Sequence, residues 1–244
     1  MQKRAYTLTS LLAAVLLASG CESDTSGLET PNPNLVSNAG LVSQKNFSIL
    51  AEDVFPEVID PDTGAATDTQ LEITVKVGDR KNQLLTDTHT VYFATEWGLI
   101  SPSCDTVDGT CTVTWQTSFG DDENSQVPQD AVVTITAWTA GEESFIDTNG
   151  NALFDDADTV FTDREEPYVD ANENGVYDSG EQIIDTVNGN DPRGDNGVHD
   201  IGDTFLNSPH CTHSSLCSPT LRTATIWAHI AIVLTGPPDT GARQ

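Results

Sequence analysis

Between Leu71 and Trp138 the apolar side chains fall on every second residue, and that period narrows the folds open to this chain more than any other feature. Leu71, Ile73, Val75 and Val77 alternate with polar residues, as do Val91 and Phe93, then Cys111, Val113 and Trp115, then Val133, Ile135 and Ala137. Successive side chains of an extended strand point to opposite faces, so each run has one dry face and one wet face. Gly78-Asp79 and Asp108-Gly109 supply turns between the runs. Short alternating segments rich in Val, Ile and Thr and separated by turns predict the antiparallel strands of a sandwich. From Thr223 to Leu234 the strand composition returns, with Ile226, Ile230, Ile232 and Val233, but here both faces are apolar. β-Branched residues favour a strand over a buried helix. A lone C-terminal strand needs neighbours, so it is expected to complete the sandwich begun before residue 140. Trp97, Trp115, Trp138 and Trp227 read as core or rim packing.

The segment separating that last strand from the rest has a different chemistry. From Glu142 to Asp203 there are 18 acidic residues and two bases, Arg164 and Arg193. Such a segment repels itself and orders only if cations neutralise it. The whole chain carries a formal charge of −28, which excludes nucleic acid as a partner, since phosphates would be repelled.

The acids are spaced as ligands. Asp170 to Glu181 reads DANENGVYDSGE and fits the twelve-residue calcium loop at every position. Asp170, Asn172 and Asn174 stand at positions one, three and five. Gly175 takes the sharp turn at six, Val176 offers its carbonyl at seven, Asp178 stands at nine and Glu181 at twelve. A second copy begins 23 residues earlier, with Asp147, Asn149, Asn151, the carbonyl of Leu153, Asp155 and Asp158 in the same roles. It departs at Ala152, where glycine is usual, and at Asp158, which is shorter than Glu. A third copy, Asn196 to Asp203, preserves only the second half, with Asp191 and Asp195 as candidates to complete it. Asp163 and Asp185 follow the two full loops at nearly equal distances, placed to complete a site or bridge to the next. These loops resemble those of dockerins and EF-hands, which implies calcium as the bound ion. Their flanks are short and partly β-branched, so stacked loops are expected, not helix pairs.

At the N-terminus, Lys3 and Arg4 precede a short apolar run that ends in Ala18-Ser19-Gly20-Cys21. This describes a secretory signal, and it resembles the bacterial lipobox, which implies that Cys21 is lipidated. Residues 22–46 are rich in Ser, Asn, Pro, Thr and Gly and read as a flexible tether, about 80 Å long if fully extended. The other four cysteines lie in close pairs, and an even count in an exported chain predicts the disulfides Cys104–Cys111 and Cys211–Cys217. His210, Cys211, His213 and Cys217 are also a zinc ligand set.

Asp108-Gly109-Thr110-Cys111-Thr112-Val113, following an Ile-Thr-Val strand and an aromatic strand, is similar to a motif of bacterial immunoglobulin-like domains of the invasin and intimin type. The resemblance covers roughly residues 70–141 and 223–234. It implies an all-β, immunoglobulin-like β-sandwich with a loop-rich calcium-binding insertion before the last strand. The expected organisation is a lipoprotein signal at 1–21, a tether at 22–46, a sandwich at 47–141, an acidic insertion at 142–220, a final strand at 221–236 and a tail at 237–244. No nucleophile elbow, phosphate loop or His-Glu-x-x-His zinc motif occurs in the sequence, so the expectation is no enzyme. It is a calcium-stabilised structural or adhesion module of the bacterial envelope, held at a membrane, expected to be the outer one, through lipid on Cys21. The alternatives are a dockerin-like docking module with a protein partner and a carbohydrate-binding sandwich with a glycan partner.

Overall fold

The computed structural model describes residues 40–60, 62–117, 127–187, 194 and 196–236. The signal segment, Cys21, most of the tether, Asp191, Asp195 and the tail lie outside them. The chain is all-β, and two four-stranded antiparallel sheets form a sandwich. One sheet runs β1 (Phe47–Ala51), β2 (Gln70–Val77), β6 (Thr110–Gln116), β4 (Leu99–Ile100). The other runs β10 (Ala224–Val233), β7 (Val132–Gly141), β3 (Thr90–Thr95), β5 (Ser103–Asp105).

The alternating residues make the core. Ile73, Val75, Val77, Val91, Trp115, Val133, Ile135, Ala137, Ile226 and Ile232 are all fully buried. Burying each large side chain contributes about 1.5–3 kcal/mol. Trp115 is satisfied inside, because its indole N–H donates to Trp97 O at 3.0 Å and Thr95 Oγ1 at 3.2 Å. Gly98 makes room for it: at φ +83°, a Cβ there would stand 2.6 Å from Gln116 O and 2.8 Å from the Trp115 indole nitrogen. Asp108 and Gly109 both take positive φ, 49° and 71°, between the bridged residues Val107 and Thr110. Positive φ at both central residues is the turn that matches strand twist in a hairpin.

Both expected disulfides are present, Cys104–Cys111 and Cys211–Cys217. The first does more than pin the Asp108-Gly109 turn. Cys104 lies on β5 and Cys111 on β6, strands of different sheets, so the bond ties one sheet to the other. The second disulfide takes both sulfurs out of the zinc ligand set.

The final strand pairs where it was expected. β10 runs antiparallel to β7 over ten residues, from Ala224 opposite Gly141 to Val233 opposite Val132. The acidic segment therefore leaves and re-enters the sheet at neighbouring positions, between Gly141 and Ala224. It folds back over the outer face of this sheet, where it covers Trp227 and leaves His229, Ala231 and Val233 exposed; Ile226, Ile230 and Ile232 of the last strand all lie on the core side. Trp227, on that face, is only 7% exposed. Its ring meets Tyr168 edge-on at 5.3 Å, carries the Arg164 guanidinium at 4.1 Å, and its N–H donates to Glu165 O at 3.0 Å. Thr136, also on the outer face, is fully buried and donates to Tyr168 O at 2.8 Å.

The packed chain begins before Phe47. Val42 is fully buried in the core and its carbonyl accepts from Glu142 N at 2.8 Å. Residues 42–46 thus belong to the fold and not to the tether, because Val42 closes the end of the sandwich where the insertion departs.

Candidate metal centre

The two full loops share most of their internal wiring. In loop 1, Asp147 Oδ1 accepts the N–H groups of Gly150 and Asn151 at 2.7 and 3.2 Å, and Oδ2 accepts that of Ala152 at 2.7 Å. In loop 2, Asp170 Oδ1 accepts from Asn174 at 3.1 Å and Oδ2 from Gly175 at 2.8 Å. The amides of Asn149 and Asn151 both point at Asp155 Oδ2, at 3.2 and 2.6 Å. Those of Asn172 and Asn174 both point at Asp178 Oδ2, at 2.9 and 2.6 Å. Asp158 closes loop 1 by accepting from Thr148 N at 2.7 Å and Asp155 N at 3.0 Å. Glu181 closes loop 2 through Ala171 N at 3.0 Å and Asp178 N at 2.9 Å.

The backbone that allows this is the same in both. Positions four and six are left-handed, at Gly150 (φ 73°) and Ala152 (φ 65°) in loop 1 and at Glu173 (φ 52°) and Gly175 (φ 79°) in loop 2. Ala152 therefore adopts a conformation that costs a non-glycine residue about 1–2 kcal/mol. The flanks are β, not helical. Phe145 bridges Phe161 around loop 1, and β8 (Tyr168–Val169) pairs with β9 (Gln182–Ile183) around loop 2.

The loops are fastened to different partners. Arg80, between β2 and β3, donates to Ala152 O at 2.8 Å and lies 4.3 Å over the Phe145 ring. Phe154, at position eight of loop 1, is fully buried with Leu206 and Cys211. Tyr177, at position eight of loop 2, stacks on His199 at 4.1 Å. Loop 2 also touches the sandwich where Thr134 Oγ1 lies 3.4 Å from Glu173 Oε1.

A set of buried carboxylates outside the loops was not read from the sequence. Glu143 accepts the N–H groups of Arg164 at 2.8 Å and Asn207 at 2.7 Å. Glu166 accepts those of Thr186 at 2.9 Å and Asp200 at 3.1 Å. Glu143 and Glu166 are 23 residues apart, the same offset as the loops, so the repeat extends four residues further back than its ligands. Burial pushes Glu143 up to about 7, against the pull of the Asn207 and Arg164 N–H groups. Burial also raises Glu166 and Asp163. Glu142, equally buried, accepts from Ser208 Oγ at 2.6 Å and lies 2.8 Å from His210 Nδ1.

The third copy is a half-loop. Val198 N donates to Asn196 Oδ1 at 2.6 Å and the Asn196 amide points at Asp200 Oδ2 at 2.7 Å, as in the full loops. Asp185 fills the place of the missing first aspartate, since Gly197 N donates to Asp185 Oδ2 at 2.5 Å. Asp163 instead holds the far end of the half-loop, accepting from Asp203 N at 3.1 Å and Thr204 N at 2.7 Å.

Among the described residues no group of three or more His, Cys, Asp or Glu side chains is placed to hold a metal ion. Each loop carries three carboxylates, two Asn amides and a backbone carbonyl at the expected ligand positions. Positions three, five and nine meet at one point in each loop. The backbone sets the orientation of each Asn: Asn149 Oδ1 accepts from Asn151 N at 3.1 Å, Asn151 Oδ1 from Leu153 N at 2.8 Å, Asn172 Oδ1 from Asn174 N at 3.1 Å and Asn174 Oδ1 from Val176 N at 2.8 Å. The structure brings Asp147, Asn149, Asn151, Asp155 and Asp158 together in one loop and Asp170, Asn172, Asn174, Asp178 and Glu181 in the other, with the amide N–H₂ groups of positions three and five facing the carboxylate at position nine. Compared with models of protein families, with curated proteins and with solved structures, the chain matches none.

Proposed function

We propose that this chain is a lipid-anchored module of the bacterial envelope, an immunoglobulin-like sandwich whose insertion is rigidified by calcium, with a structural or adhesive role. The observation that carries the reading is the duplicated wiring of loops 1 and 2. Two segments of different sequence bring positions one, three, five, nine and twelve to the same contacts, including a left-handed alanine where glycine is usual. The strand order supports the immunoglobulin-like part. Taking β1, β2, β6 and β4 as strands A, B, E and D, and β3, β7 and β10 as C, F and G, the two sheets follow the constant-type order with β5 added at the edge.

In this reading, calcium offsets the repulsion among the acids of residues 142–203, and the ordered insertion presents a fixed outer surface. Extracellular calcium modules work at about 10⁻⁴–10⁻³ M, so modest affinity suffices. Limited proteolysis in calcium and in chelator tests it. Cleavage within residues 142–223 in chelator, suppressed by calcium, is the expected pattern; equal cleavage in both would sink the calcium reading. Membrane fractionation of Cys21→Ser tests the anchor separately, and a variant that fractionates like wild type would remove it.

A further inference from the structure

We propose that the Cys211–Cys217 disulfide is a redox-sensitive clasp on loop 1, holding that loop in its ligand-bearing shape while leaving loop 2 untouched. This rests on the calcium reading of loop 1. The six-residue separation of the two cysteines closes a small loop that lies directly on position eight. Phe154 N donates to His210 O at 3.0 Å, and Thr212 N donates back to Phe154 O at 2.8 Å. Position eight sits between the Leu153 carbonyl and Asp155, two of the ligands, so a bond on each side of Phe154 sets the direction of both. Ser214 N donates to Asp156 Oδ1 at 2.7 Å, next along loop 1. The His213 ring stacks on Phe154 at 5.4 Å.

Each cysteine anchors its own bridge. Cys211 pairs with Phe154 and Cys217 with Leu206, and Phe154 and Leu206 are both fully buried in one small cluster. The disulfide therefore joins the two bridges that build the floor under loop 1. Reduction by a dithiol transfers two electrons and two protons to this bond. It yields two thiols on the protein and a disulfide on the reductant. Cys217 is the partly exposed residue of the pair and Cys211 the buried one. Without the bond, the segment 211–217 regains chain entropy and its grip on Phe154 weakens.

Loop 2 has no such clasp. Tyr177 at its position eight rests on His199 and Tyr168, and both disulfides lie elsewhere. The two loops then differ in kind. Loop 2 has the fuller ligand set, while loop 1 owes its shape to an oxidised bond.

Calcium titration calorimetry on the chain separates the two. With Asp170→Ala and Glu181→Ala in place, loop 1 is measured alone, in the oxidised protein and with Cys211→Ser and Cys217→Ser added. The expected change is a roughly 10- to 100-fold loss of affinity, the scale for removing groups that orient ligands. With Asp147→Ala and Asp158→Ala instead, loop 2 should bind equally in both forms. His213→Ala, with the disulfide intact, should weaken loop 1 by a smaller factor. Equal loop 1 binding with and without the disulfide overturns the proposal. So does loss at both loops together, which would make the bond a support of the whole fold. No calcium binding by the oxidised wild-type chain would instead refute the loop reading itself.

Discussion

Trp227 is the residue by which the insertion and the sandwich hold each other, and truncating it should separate their stabilities. Its side chain leaves the sheet on the outer face, away from the core that contains Ile226 and Ile232. Trp227→Ala removes a nearly buried indole, a change that costs about 3–5 kcal/mol in a packed site. Part of that is the stacked Arg164 guanidinium, about 0.5–2 kcal/mol, and part is the Glu165 carbonyl left without its donor, about 1–3 kcal/mol. Trp227→Phe retains a six-membered ring for Arg164 to stack on but loses the N–H and the pyrrole part of the indole, so about 1–3 kcal/mol is expected. The assay is urea unfolding, followed by the fluorescence of the sandwich tryptophans Trp97, Trp115 and Trp138 and by protease sensitivity of residues 142–223. In Trp227→Ala the protease transition should move to lower urea than the fluorescence transition, and in Trp227→Phe the two should nearly coincide. If Trp227→Ala leaves the insertion as protected as in wild type, the outer face is not its docking surface and the reasoning fails.

Other outcomes follow from the same geometry. Ala152→Gly should relieve the left-handed strain at position six and tighten calcium binding by loop 1 by about 1 kcal/mol, or roughly fivefold; unchanged or weaker binding would count against the assigned turn. Glu143 is raised to about 7 in the fold from an ordinary value of 4.5, so the folded state favours its protonated form. Its stabilising proton is fully present below pH 4.5 and is lost as pH rises through 7. In chelator, the chain should therefore be about 2 kcal/mol more stable at pH 5.5 than at pH 8 from this group alone. Glu143→Gln should abolish that difference in thermal melts, and a slope that persists in the variant would assign it elsewhere.

How far the sequence carries can be judged residue by residue. The alternation from Leu71 to Ala137 places the inner faces because one buried sheet face imposes a period of two. The short cysteine spacings allow only local bonds without long excursions, and both occur. The loops are legible as a repeat, because Asp and Asn recur at the same spacing 23 residues apart and fold into turns of the same shape. The return of the insertion onto the sheet was less legible. Thr134 and Thr136 look like solvent-facing residues and are buried only because Tyr168 and Glu173 lie over them. Trp227, a bulky ring on an outer face otherwise made of Thr225, His229, Ala231 and Val233, was the visible trace of that layer. Glu143 and Glu166 were missed because a glutamate that accepts backbone N–H groups looks like one more surface acid. The repeat offset, carried back four residues, would have found them. Asp185 was legible as a residue placed to complete a site or bridge to the next, but that it takes the place of the half-loop's first aspartate shows only in the fold, where Gly197 N donates to it.

The central claim is that two loops of one design each hold a calcium ion and so order the insertion. Counting bound calcium tests it most directly, by equilibrium dialysis with metal analysis at about 1 mM free calcium. Three chains are compared: wild type, the Asp147→Ala, Asp158→Ala variant, and the Asp170→Ala, Glu181→Ala variant. At least two ions are expected on the wild-type chain and one fewer on each variant. A wild-type chain that binds none, or variants that retain the full wild-type count, would contradict it.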